Sequence, residues 1–269
     1  MTDKKVLFVA SEMIPYLPEN EVSSLAYENP RMVNDRGGQI RIFMPRFGNI
    51  NERRHQLHEV IRLSGMNLVI NDMDMPLIIK VASIPKERIQ VYFIDNEEYF
   101  KRKATFSDED GNLFPDNDER AIFFAKGVVE TVKKLNWSPD IIHVHGWMAG
   151  MLPLYLKKYY ADEPLFAESK IVTSVYNKDF DGTLDKQMIE KVKFDGISEG
   201  DVHALESPDY SSILRVAIDN SDAVVVASEN IPSDLEEYLK NVDKPVLPYV
   251  SIYEFEDAYE KFYETKVLG

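Results

Sequence analysis

The chain reads as an α/β fold, a doubly wound and mainly parallel sheet with helices on both faces. Three observations predict this. Short apolar runs alternate with amphipathic stretches along all 269 residues. Lys170–Val175 and Asp222–Val226 are β-branched and nearly continuous, as parallel strands covered on both faces would be. The chain also opens strand, loop, helix, strand, the order in which such sheets begin.

Taken in order, residues 5–10 form the first strand and 39–44 the second, with a helix between them. Gly37-Gly38 ends that helix, because glycine enters the left-handed region without a Cβ clash. Candidates at 67–70, 77–83 and 91–94 follow in quick succession, which predicts a hairpin-like insertion beside the parallel strands. Helix 119–134 leads to strand 140–144, and helix 147–160 to strand 171–175. Helices 184–194 and 209–220 lead to strand 223–227, and helices 233–241 and 252–264 follow. Segments 103–118 and 196–208 are expected to be polar, mobile loops. No linker rich in Pro, Gly or Ser divides the chain, so residues 1–269 are expected to form a single Rossmann-like domain. The helix at 252–264 closes it, with Phe255, Tyr259 and Phe262 on one face.

Composition excludes several functions. There is no cysteine, hence no disulfide and no thiolate metal site. No apolar run suits a signal peptide or membrane span, so a cytoplasmic location is expected. The net charge is −15 and uneven: residues 196–269 carry 16 acidic and 5 basic side chains, against 30 and 26 in residues 1–195. That sign disfavours nucleic acid and anionic membranes. His143 and His145 stand at a strand end without a third ligand at metal spacing, and Asp108-Glu109-Asp110-Gly111 lacks the pattern of a calcium loop. No metal and no cofactor are predicted.

The strand–loop–helix opening is where such a sheet binds phosphate, using glycines for close approach and the helix N-terminus for charge. Here the loop reads Pro18-Glu19-Asn20-Glu21-Val22-Ser23-Ser24, with no glycine, no lysine and two carboxylates. Its lead-in, Ser11-Glu12-Met13-Ile14-Pro15-Tyr16-Leu17, resembles the opening of glycogen and starch synthases. The resemblance continues through Phe43–Gly48, Val91–Asn96, Pro115–Arg120 and Trp137–Trp147, and runs to about Ser228. It implies a relation to twin-Rossmann retaining glucosyltransferases, which move glucose from ADP- or UDP-glucose to an α-1,4-glucan without a metal. Their donor lies between two domains, and this chain is long enough for only the first.

Laid on that family's Lys-Thr/Ser-Gly-Gly-Leu-Ala-Asp loop, Lys becomes Pro18, Thr becomes Glu19, and the glycines become Asn20 and Glu21. The resemblance makes His145, Asn177 and Gly182 candidates for the sugar and donor cleft. Gly146 stands where the family has Asp, Tyr176 where it has His, and Lys101-Arg102 where it has Asp-Arg. Asp116, Asn117 and Arg120 match a segment that opens a helix, and either Asp116 or Asn117 is expected to cap it. Asn177 equally suits a turn, and His145 a hydrogen-bonded strand end. Trp147 and the aromatic segment Tyr249–Tyr263, with Phe255, Tyr259 and Phe262 on one face, are expected chiefly in the core, with a partner or glucan platform as the sharper reading. The chain is therefore expected to be inactive alone and to act in glucan metabolism as a binding or regulatory module. The alternative is a glycosyltransferase completed by a separate partner chain. An α-glucan, a sugar nucleotide and a protein covering the open cleft are the candidate partners.

Overall fold

A computed structural model describes residues 1–84, 87 and 89–269. The strands are β1 (Lys5–Ala10), β2 (Gln39–Pro45), β3 (His58–Glu59), β4 (Met66–Ile70), β5 (Met73–Ser83), β6 (Gln90–Asp95), β7 (Ile141–His145), β8 (Lys170–Val175), β9 (Ala223–Val226) and β10 (Val246–Leu247). They form one sheet in the order β10-β9-β8-β7-β1-β2-β6-β5-β3, with β4 paired to β5. Pairings from β10 through β6 are parallel, and those of β5 are antiparallel. The insertion expected at 67–94 is the β4–β5 hairpin. Asn71 and Asp72, both at positive φ, make its two-residue turn.

Helices are α1 (Glu21–Asp35), α2 (Glu52–His55), α3 (Glu97–Phe100), α4 (Asn117–Lys134), α5 (Leu152–Lys158), α6 (Met188–Phe194), α7 (Glu199–Val202), α8 (Tyr210–Asp219), α9 (Ser233–Leu239) and α10 (Phe255–Phe262). From β1 the chain steps to β2 in one direction, and from β7 to β8 and β9 in the other. Right-handed crossovers therefore place α1 on one face and α5 and α8 on the opposite face. This is the doubly wound arrangement. Apart from α1, the face over β7 and β8 is covered by α10. Its Phe255, Tyr259 and Phe262 are buried, as their spacing predicts. A turn of π-helix, Tyr263–Val267, continues it and buries Tyr263 as well.

Three expectations need correction. The helix expected at 147–160 is a 3₁₀ turn, Trp147–Ala149, followed by α5. The Gly150 amide bonds the Trp147 carbonyl at 2.9 Å, closing the 3₁₀ turn, and a Cβ at Gly150 would stand 3.0 Å from Ile213 on α8. Segment 196–208 is not simply a polar loop: α7 and a 3₁₀ turn at His203–Glu206 form there, because Val202 and Leu205 are buried. Neither Asp116 nor Asn117 caps α4 through its side chain. Asp116 pairs with Arg102 at 2.7 Å instead, and Asn117 donates to the Phe106 carbonyl at 2.8 Å. Among the described residues no helix is long and apolar enough to cross a membrane.

Candidate functional site

The parallel strands all point their carboxyl ends to one edge, where ligands of such sheets bind. The loops after β1, β7, β8 and β9 meet there. The first of them is shorter than the sequence suggests, because α1 already begins at Glu21. Asn20 is its N-cap: the Asn20 side chain accepts from the Ser23 amide at 2.7 Å, and Ser23 Oγ accepts from the Asn20 amide at 2.8 Å. This reciprocal box uses amides that an N-terminus free of such a cap would offer to phosphate. Pro18, Glu19, Asn20 and Glu21 are all exposed.

Two of the candidates are joined by a residue that sequence reasoning missed. Ser228, buried just after β9, accepts from the Asn177 backbone amide at 2.9 Å, and its hydroxyl donates to Glu21. The loop ends after β1, β8 and β9 are thus tied together. The Asn177 side chain accepts from the Lys178 amide, in keeping with a turn role, and is exposed. Gly182 lies farther along this loop at φ +82°, with open space where a Cβ would go. Lys178, the cation nearest this turn in sequence, pairs with Asp181.

His145 lies beneath this edge with no exposed surface. Its ring stacks on His143 at 4.2 Å between centroids, so both histidines do share one side of the pleat. His145 Nδ1 shares a hydrogen bond with the Tyr176 hydroxyl at 2.7 Å. Burial pushes its pKa down to about 3, which keeps the ring neutral. His143 is held by Ser174, Asn29 and Tyr263, the last two from α1 and the π-turn after α10. Burial, and then His145, hold it well below the usual histidine range.

The departures from the synthase pattern fit one another. Tyr176 supplies the hydroxyl that holds His145. Gly146 adopts φ +81°, and a Cβ there would stand 2.6 Å from Ser11 Oγ, so an Asp is excluded from this backbone. Trp147 is wholly buried between Phe106 and Phe180, which removes it as a sugar platform. Arg120 is buried too, donating to the Thr105 carbonyl at 2.8 Å and to Asn117 at 2.6 Å. With Asp116 and Asn117 it fixes the 103–116 loop on α4.

Glu12, in the loop directly after β1, was not singled out from sequence. It is 7% exposed, and Asn20 Nδ2 donates to it at 3.3 Å. Burial, then the charge of Asp179, push its pKa up to about 7, against the opposing Asn20 bond. Below about pH 4.5 this carboxyl is protonated folded or unfolded and has no effect on stability. As the pH climbs from there through about 7, the unfolded state ionises first and stability is lost, in total about 3 kcal/mol. Urea midpoints between pH 5 and 8 should therefore fall more steeply for the native chain than for Glu12→Gln. Parallel slopes would remove Glu12 as the titrating group.

The edge thus carries Glu12, Glu19, Glu21 and Asp179 against a paired Lys178. This lining is acidic, and acidic surface weakens the approach of anions. Among the described residues no group of three or more His, Asp or Glu is placed to hold a metal.

The fold has a solved counterpart, and the sequence supplies the class. The catalytic domain of starch synthase IV from Arabidopsis thaliana, solved with ADP and acarbose, matches with a TM-score of 0.68 at 16% identity. The match covers 83% of this chain and 45% of that one, and it shows a shared Rossmann-like fold. Residues 5–241 match the family described as starch synthase catalytic domain, and the chain belongs to that family. Among curated relatives, glycogen synthase of Chlorobium limicola is 36% identical over 225 residues, which is 83% of this chain and 45% of that protein. Glycogen synthase of Chlorobaculum parvum is 38% identical over 203 residues, 73% and 42% respectively. The chain spans less than half the length of these relatives.

Proposed function

We propose that this chain does not transfer glucose by itself and serves glucan metabolism as a binding or regulatory module. The first loop carries this reading. Departure of a nucleoside diphosphate requires positive charge and free amides aimed at the developing oxyanions. Pro18–Glu21 carries no cation and no glycine, the capping box takes the Asn20 and Ser23 amides, and the Glu21 carboxylate sits at the same helix N-terminus, held by Ser228. Losing one such donor slows an enzyme by about 10²–10³, and here the lysine and both glycines are replaced. The purified chain, given ADP-[¹⁴C]glucose and glycogen, should elongate glycogen at least ~10⁴-fold more slowly than the Chlorobium limicola enzyme. Transfer within tenfold of that enzyme would overturn the reading.

A second reading rests on length. The chain covers about 45% of the Chlorobium limicola glycogen synthase, and on this reading a separate polypeptide supplies the rest. Under it, transfer appears when the second half of the Chlorobium limicola enzyme is added as a separate chain, and not without it.

A further inference from the structure

We propose that the segment after β10 forms a docking surface for a protein that presents basic side chains around an apolar face. The apolar ridge of this surface lies beyond residues 5–241, and the hollows beside it are lined in part by residues of the first loop and of α9. It is also independent of whether the chain transfers glucose.

Three large apolar side chains emerge together there: Tyr249 is 41% exposed, Ile252 42% and Tyr253 94%. They stand in one five-residue stretch, whereas most aromatic side chains of this fold are buried. Exposed aromatic ridges of this kind are the usual energetic centres of protein interfaces. Tyr249 is also the wall between two hollows. The first, about 320 Å³, is lined by Glu19, Asn20, Glu21 and Ser24, with Val250 and Ile252 opposite. The second, about 660 Å³, is lined by Glu229, Glu236, Ile231, Val246 and Pro248. Lys240 also lines the second hollow and is paired with Glu237 at 3.1 Å.

Both hollows are therefore acidic and sit on either side of an apolar ridge. The four glutamates Glu19, Glu21, Glu229 and Glu236 are exposed. Arginine or lysine side chains entering the hollows would meet carboxylates at each side, while the ridge covers apolar surface of the partner. A second copy of the chain is a poor occupant, because like charge would face like charge in a molecule of net charge −15. A glucan would use the tyrosines but not the paired acidic hollows.

The test uses dodecamer peptides selected by phage display against the full chain. The best binders are synthesised and measured by fluorescence anisotropy. Peptides combining Arg or Lys with Leu, Phe or Trp should emerge. Their affinity should fall at least tenfold for Tyr249→Ser/Tyr253→Ser and at least fivefold for Glu229→Gln/Glu236→Gln, and should weaken as salt rises. These side chains are exposed, and unchanged melting temperatures confirm that the variants fold. Three results would overturn the proposal. The selected peptides could be neutral or acidic, or bind the variants as tightly as the native chain. Sedimentation could reveal a dimer that Tyr253→Ser dissolves. Maltotetraose could perturb the amide resonances of residues 249–253 while the peptides do not.

Discussion

A chain ending at Leu247 is expected to lose its cooperative unfolding transition. The residues removed include Phe255, Tyr259, Phe262 and Tyr263, all at most 6% exposed. Burying each aromatic side chain stabilises the fold by about 1.5–3 kcal/mol, and four of them approach the whole stability of a domain, roughly 5–15 kcal/mol. Polar groups suffer as well. Tyr263 bonds both His143 and Asn29, which are fully buried, and without it both face an open sheet surface. Arg36 would also lose Asp257, held at 2.7 Å, and Glu260. Near-ultraviolet circular dichroism and urea titration of the truncated and full chains test this. A truncated chain that unfolds cooperatively at the same midpoint would show that α10 is dispensable.

Lys191→Met should destabilise the chain by about 3–5 kcal/mol, the range for leaving a buried charge without its partner. Lys191 on α6 reaches Asp118 at 2.7 Å, Glu119 at 2.9 Å and Asp185 at 3.2 Å. Asp118 is 0% exposed and sits in the first turn of α4. Burial raises its pKa above the usual range, and Lys191 opposes that rise through its hydrogen bond and charge. Removing the ammonium lets the raised pKa climb further, so the carboxylate form becomes the source of instability. The deficit of Lys191→Met should therefore shrink as the pH falls and Asp118 takes up a proton. Lys191→Met/Asp118→Asn should recover part of it at neutral pH. Chemical denaturation of the three proteins at pH 5 and 8 measures both effects. A single variant within 1 kcal/mol of native at pH 8 would contradict the argument.

Much of the fold was legible because burial on two faces leaves a plain mark. Lys170–Val175 and Asp222–Val226 read as parallel strands from their nearly continuous β-branched runs, and the strands found there, β8 and β9, are parallel. The stripe of α10 was equally readable, since one buried face imposes its spacing. The 3₁₀ turn at Trp147–Ala149 was not, because its apolar residues are buried whether the segment is a regular helix or a tighter turn. The turns in 196–208 were missed because two apolar side chains, Val202 and Leu205, outweigh a polar background once they find a core.

The candidate site divides in the same way. Amino-acid identity alone determined that the first loop lacks lysine and glycine and carries acid, since the chemistry offered to a phosphate is a property of the side chains present. It also determined family membership and the pairing of His143 with His145 on one side of a strand. Only the tertiary structure decided that Glu21 meets Ser228, 207 positions away, that Tyr176 holds His145 out of reach of solvent, and that Glu12 is buried beside Asp179. The reason is physical: hydrogen-bond partners and dielectric surroundings depend on which loops converge at the strand ends, and local spacing along the chain carries no record of that convergence.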